Sequence, residues 1–203
     1  KFNDRPTKKQ EKIFQSLFLG DGAIYKSKDN VNYRVNLAHS LKQKEYFMMK
    51  YNIVKDFIGT ECWEESQVHN VNGKTYSCIK FQSLVNPYFT RMRKKWYKND
   101  KKIIPKDIEE ILDSELLAYK FFDDGFLNAS GYSIAMHDYD NECVERFAEA
   151  IKNNFGITVN VVSNHDIIYI PARHREEFDK LVRPHATSDV LYKLGEFRET
   201  PNE

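Results

Sequence analysis

The sequence predicts an α+β protein built twice over: two αββαββα repeats related by a pseudo-twofold axis, each with antiparallel β-strands. The two sheets are expected to form a saddle, with the leading helix of each repeat at the repeat interface. Three observations carry this expectation. The runs FQSLFLGDG (Phe14 to Gly22) and LAYKFFDDG (Leu117 to Gly125) lie about 100 residues apart, and both are apolar and end on Asp-Gly. Phe14, Leu17 and Phe18, like Leu117, Phe121 and Phe122, fall at helical spacing and give each run one apolar face. The pattern that follows each run also repeats in the same order, which marks an internal duplication.

In the first half, Thr7 is placed to cap a helix that reaches Leu19 or Gly20. Residues 24–28 and 31–38 flank a hairpin turn at Asp29-Asn30, and Val31, Tyr33, Val35 and Leu37 alternate toward a core. Ser40 opens an amphipathic helix to Ile58 that Gly59 stops. Residues 63–70 and 74–83 read as strands about Asn72-Gly73, and a short helix over 88–95 closes the repeat. In the second half, a loop with Asn128 and Gly131 precedes a strand over 132–137. Asp140 then caps a helix over 141–155 that ends at Gly156. Residues 157–162 and 166–170 pair about Asn164-His165, and a helix over 172–182 ends before Pro184. The domain organisation expected is a first repeat over 1–97, a basic then acidic linker over 98–114, a second repeat over 115–183 and a tail over 184–203.

Composition narrows the class. The 203 residues include 41% hydrophobic and 30% charged residues, an ordinary globular balance. Cys62, Cys78 and Cys143 form no ligand-like cluster, so zinc and a disulfide framework are not expected and a reducing intracellular compartment is. No apolar run approaches the roughly 20 residues that span a bilayer, and the polar start KFNDRPTKKQEK has no signal-peptide core. Net charge is +1, yet Arg91 to Lys106 carries eight basic residues against one acid, with Trp96 and Tyr97 among them. Such a stretch suits a polyanion-facing surface, and suits a solvated linker equally.

The runs' final acids carry the chemistry. Asp21 and Asp124 would each stand at the C-terminal tip of a buried helix, where the helix dipole already places partial negative charge. Asp-Gly is a common turn pair, and either run alone reads as a turn. The duplication favours a second reading, in which paired carboxylates hold a divalent cation that activates water and stabilises a leaving phosphodiester oxygen. Antiparallel strands with a polar face fit the DNA major groove. The candidate DNA-binding residues are Lys26, Lys28, Arg34, Asn36, Gln67, His69, Lys80, Gln82, Ser133, His137 and Asn160.

The paired runs, the KKIIP segment between them and YKL near the end resemble the LAGLIDADG homing endonucleases, in particular the single-chain branch that holds the yeast mitochondrial omega-intron enzyme. The resemblance covers nearly the whole chain. It implies a monomeric, intron-encoded nuclease that cuts both strands of a long DNA site and leaves 3′ overhangs. The cofactor implied is Mg2+ or Mn2+, with Ca2+ supporting binding without cleavage. Asp21 and Asp124 take the places of the catalytic metal ligands, with the carbonyls of Gly20 and Asp123 beside the metals. Lys102 and Lys193 match basic residues near the scissile phosphates, with Lys101 an alternative to Lys102. Ser16 and Gly20 provide the small helix-contact residues of the family, whereas Tyr119 and Asp123 do not. Other LAGLIDADG-like proteins are RNA maturases, with intron RNA as partner, or DNA-binding regulators without cleavage.

Overall fold

The computed structural model describes residues 5–68, 75–162 and 166–196. His69 and the turns expected at Asn72-Gly73 and Asn164-His165 lie outside the described residues. The chain divides into two compact units, Lys1–Lys94 and Lys95–Glu203.

Unit 1 begins with α1 (Lys8–Leu19), started by a reciprocal cap in which Thr7 Oγ1 accepts from the Gln10 amide and Gln10 Oε1 accepts from the Thr7 amide. Then come β1 (Ala23–Tyr25), β2 (Arg34–Ser40), α2 (Lys44–Val54), β3 (Trp63–Val68), β4 (Thr75–Gln82) and α3 (Pro87–Trp96), whose last residues belong to unit 2. The strands form one antiparallel sheet in the order β1-β2-β4-β3. Its core is aromatic: the Phe14 ring lies 5.1 Å from Phe57 and 5.0 Å from Phe89, both edge-on, and Phe47 lies 5.5 Å from Phe81. Rings at these separations add to their area burial through edge-to-face attraction.

Unit 2 opens with a two-residue hairpin, β5 (Tyr97–Lys98) and β6 (Lys101–Lys102), and a single turn, α4 (Ile108–Ile111). Apart from Tyr97, both lie in the stretch expected to be a linker, 98–114. There follow α5 (Ser114–Asp124), β7 (Gly125–Asn128), β8 (Gly131–Ala135), α6 (Asn141–Phe155), β9 (Asn160–Val162), β10 (Ile167–Pro171) and α7 (Arg175–Val182). The sheet order, β7-β8-β10-β9, reproduces that of unit 1. Phe121 of α5 packs edge-on to Tyr132 at 5.3 Å and to Phe178 at 5.1 Å. Each Asp-Gly helix thus roots in the core of its own unit, and both expected repeats are present in the expected element order.

Local expectations about Val31, the segment after Gly125 and the tail differ from the structure. Val31 is 84% exposed, because β2 begins only at Arg34 and its inward face is Val35, Leu37 and His39. The loop expected after Gly125 is strand β7, paired in register from Gly125↔Ile134 to Asn128↔Gly131. The tail over 184–203 contains a 3-10 helix, Ser188–Leu194, that buries Val190, Lys193 and Leu194. Among the described residues no helix is long and apolar enough to cross a membrane, and all three cysteines are free thiols.

The start of α6 yields a pH-dependent prediction. Asp140 Oδ1 accepts from the Cys143 amide at 2.9 Å, and that backbone hydrogen bond holds its carboxyl below the ordinary value of 3.8. A depressed value stabilises the fold above the unfolded-state value, and the contribution is lost as pH falls through the folded one. Asp140→Ala is expected to cost about 1 kcal/mol near neutral pH, with the difference from the parent closing below the ordinary carboxylate range, as measured by urea denaturation across pH.

Candidate functional site

In unit 1, α1 stops at Leu19 and the Gly20 amide closes the last turn onto the Ser16 carbonyl at 2.8 Å. Asp21 follows with its side chain 35% exposed, and Oδ2 lies 3.3 Å from Nδ1 of His39. His39 continues the inward alternation of β2, so its imidazole is buried beneath the acid. Behind it stands the Tyr46 ring, 5.4 Å away, and the ammonium of the fully buried Lys50 sits 4.3 Å from that ring's centroid. Sequence reasoning passed over His39. The signal was present in the period-two series Val35, Leu37, His39, whose third member falls on the core face.

Unit 2 treats its acid differently. Helix α5 continues two residues further and includes Asp124, with the Gly125 amide closing onto the Phe121 carbonyl. Asp124 Oδ2 accepts from Nζ of Lys120, one helical turn earlier, at 2.7 Å. Lys120 is 2% exposed, and its ammonium lies 5.2 Å from the centroid of Tyr139. Burial, followed by the charge of Asp124, drives the Tyr139 hydroxyl well above its ordinary range, so the phenol stays neutral. Lys120, Asp124, His137, Asp138 and Tyr139 line one small cleft together with Ala135 and Met136. Lys120 was also missed in the sequence, although a lysine four residues before an aspartate on an apolar helix is an i,i+4 pair.

The glycine after each acid is fixed by space. A Cβ on Gly22 would lie 2.6 Å from Cβ of Leu17, and one on Gly125 would lie 2.4 Å from the Phe121 carbonyl oxygen. The strand leaving each helix therefore passes against the helix's own last turn.

Of the expected lysines, Lys193 is 8% exposed and donates to the Asp123 carbonyl at 2.9 Å. The side chain of Lys102 is 10% exposed with Nζ 3.8 Å from Asp138 Oδ2, while Lys101 is exposed. These contacts bring Lys193 to the end of α5 and turn Lys102, not Lys101, inward.

The expected readout residues divide by face. In unit 1, the register Asn36↔Gln82 and Ala38↔Lys80 sets Arg34, Asn36, Lys80 and Gln82 on the outer side of the sheet, and the backbone of Gln67 pairs with Tyr76. Arg34 Nη1 donates to Gln82 Oε1 at 2.9 Å, and Lys80 pairs with Glu65 at 2.9 Å. Lys26 and Lys28 follow β1 and are exposed. In unit 2, Asn160 and His137 are exposed. Ser133 departs from expectation: it is buried, between Phe126 and Tyr169 in the register, and accepts from Asn128 Nδ2 at 2.6 Å. Exposed Trp63 and Tyr76 share the outer face of unit 1, and the sequence reading did not include them.

The buried contact of Lys193 gives a stability prediction. Lys193→Met would leave the Asp123 carbonyl without that donor and is expected to cost about 1–3 kcal/mol, whereas Lys101→Met at the exposed neighbour stays within about 0.5 kcal/mol, both measured by thermal unfolding.

Comparison with known proteins bears on the family and the fold. The chain is 26% identical over 203 residues to the cytochrome b mRNA maturase bI2 of Debaryomyces hansenii, covering 97% of this chain and 77% of that protein. It is 22% identical to the DNA endonuclease I-ChuI of Chlamydomonas applanata, covering 94% and 96%. The solved structure of the homing endonuclease I-WcaI bound to its DNA recognition sequence superposes with a TM-score of 0.83 at 23% identity, covering 93% of this chain and 86% of that one. Residues 12–180 match the LAGLIDADG DNA endonuclease family, and the chain belongs to that family.

Proposed function

We propose that this protein is a site-specific endonuclease that hydrolyses both strands of a long DNA duplex and leaves staggered ends with 3′ overhangs. One observation carries the reading: both repeats keep their terminal acid, each at the end of its own core helix and each with a basic side chain against it. A protein that only binds has no need of the second carboxylate.

The donor chemistry fits a hard divalent cation. Asp21 and Asp124 offer partly exposed carboxylates, the ligand type Mg2+ and Mn2+ prefer, and the carbonyls of Gly20 and Asp123 are oxygen donors of the same kind. Each acid, with the carbonyl before it, would hold divalent metal in its own unit, with Ca2+ supporting binding without cleavage. Bound there, the ion supplies an activated water and stabilises the leaving oxygen. The chain's own contribution is electrostatic and positional. Lys193 and Lys102 present ammonium groups largely withdrawn from solvent, where they offset charge developing on a scissile phosphate more strongly than in water. The Asp123 carbonyl steadies Lys193.

Recognition falls to the outer sheet faces. Arg34, Asn36, Lys80 and Gln82 in unit 1, with Lys26, Lys28, Gln67 and His69, and His137 and Asn160 in unit 2, are the side chains we assign to base edges. Ser133 acts only through Asn128, which it anchors. Arg91 and Lys94 of α3 serve phosphates and set the salt dependence.

The name of the Debaryomyces relative favours a second reading, an RNA maturase. One experiment addresses both. Incubation with a randomised duplex library and Mg2+, followed by sequencing of the ends, is expected to return a family of related long sites. Cleavage no greater than that of an Asp21→Asn, Asp124→Asn control would contradict the nuclease. Tight binding to intron RNA with rescue of splicing would establish the maturase instead.

A further inference from the structure

The two acids are not equivalent, and the difference lies in what each touches within its own unit. Asp21 has the imidazole of His39 at 3.3 Å. An imidazole is itself a metal ligand when neutral and adds to a cation site. Asp124 has the ammonium of Lys120 at 2.7 Å. An ammonium is a permanent cation with three donors and no lone pair, so it competes with a metal for the same oxygen. Lys120 is also poorly placed to leave. It is 2% exposed on an apolar helix, and besides Asp124 it contacts the face of Tyr139 at 5.2 Å. Withdrawing the carboxylate would strand a buried charge, and breaking such a pair is costly.

We propose that Lys120 is a positioning residue that holds Asp124 back from divalent cations, so that the acid of unit 1 takes a metal ion before the acid of unit 2. The inference rests on the endonuclease reading for its purpose, but it is a statement about ion affinity and can be tested without DNA. Among the positions at which the two motifs differ, one bears on the acid: Lys120 occupies the place that Leu17 holds in the first motif, one turn before the acid and facing into the core. A lysine there converts a duplicated pair of equal acids into a strong and a weak cation site.

The test uses Mn2+ as probe on the intact protein labelled with 13C at the aspartate carboxyl carbons, with Asp21 and Asp124 assigned by Asp→Asn variants. Paramagnetic broadening of Asp21 is expected at about tenfold lower Mn2+ than that of Asp124, the factor a charged hydrogen bond is worth. In Lys120→Met the Asp124 signal should broaden at a concentration close to that of Asp21, and Lys120→Arg should restore the parent behaviour. Equal broadening of the two acids in the parent protein would overturn the proposal without need of any variant. So would an unchanged Asp124 titration in Lys120→Met with the amide spectrum otherwise native. Absence of broadening at both acids would overturn this inference and the metal-dependent reading together, whereas broadening at Asp21 with either failure above would overturn the role of the lysine alone.

Discussion

A carboxylate at the carboxyl end of a buried apolar helix is an electrostatic conflict, and each unit is arranged around it. The helix supplies rigidity, because Phe14 in one unit and Phe121 in the other are locked among aromatic neighbours. It also supplies the problem, because its unpaired carbonyls and the acid repel. Neither helix carries a basic residue in its last turn. The relief comes from deeper in each unit, from His39 on β2 and from Lys120 one turn back on α5. A base drawn out of solvent to meet an acid serves folding weakly, and its retention beside both acids fits sites whose charge is wanted for chemistry.

The same duplication has been met with two local solutions. In unit 1 the helix ends early on Gly20, and the acid lies beyond it on the way into β1. In unit 2 the helix includes the acid, and β7 begins immediately after. Both strands then pass so close to the helix end that only glycine fits. The sheet orders coincide, while the partners of the acids, the strand lengths and the 3-10 helix that brings Lys193 to Asp123 do not. A single chain with two unlike halves can read a target without symmetry, which a dimer of one repeat cannot.

Much of the architecture was legible because it rests on period and caps. Thr7, Asp140 and Gly156 each do what their types and positions imply: two accept from helix amides and the third adopts φ 70°. Asp21 and Asp124 were found because the Asp-Gly ending occurs twice. The losses share a cause, which is that burial depends on neighbours from elsewhere in the chain. Val31 has a strand-like side chain but lies before the paired register begins. Gly125 to Asn128 reads as loop because it opens on glycine and ends on asparagine, yet β8 supplies the partner that makes it a strand. Ser133 is polar in an alternating strand and is nonetheless buried between flanking rings. His39 and Lys120 are polar letters inside apolar patterns; their role appears only once the acid they face is located in space.

The central claim is that both acids are needed for chemistry. Its most direct test is cleavage of a plasmid carrying a library-selected site by Asp21→Asn and Asp124→Asn separately, with affinity for that site measured in Ca2+. The account predicts that each variant binds as the parent does and yields no linear product. Linear product from either variant at the parent rate would contradict it.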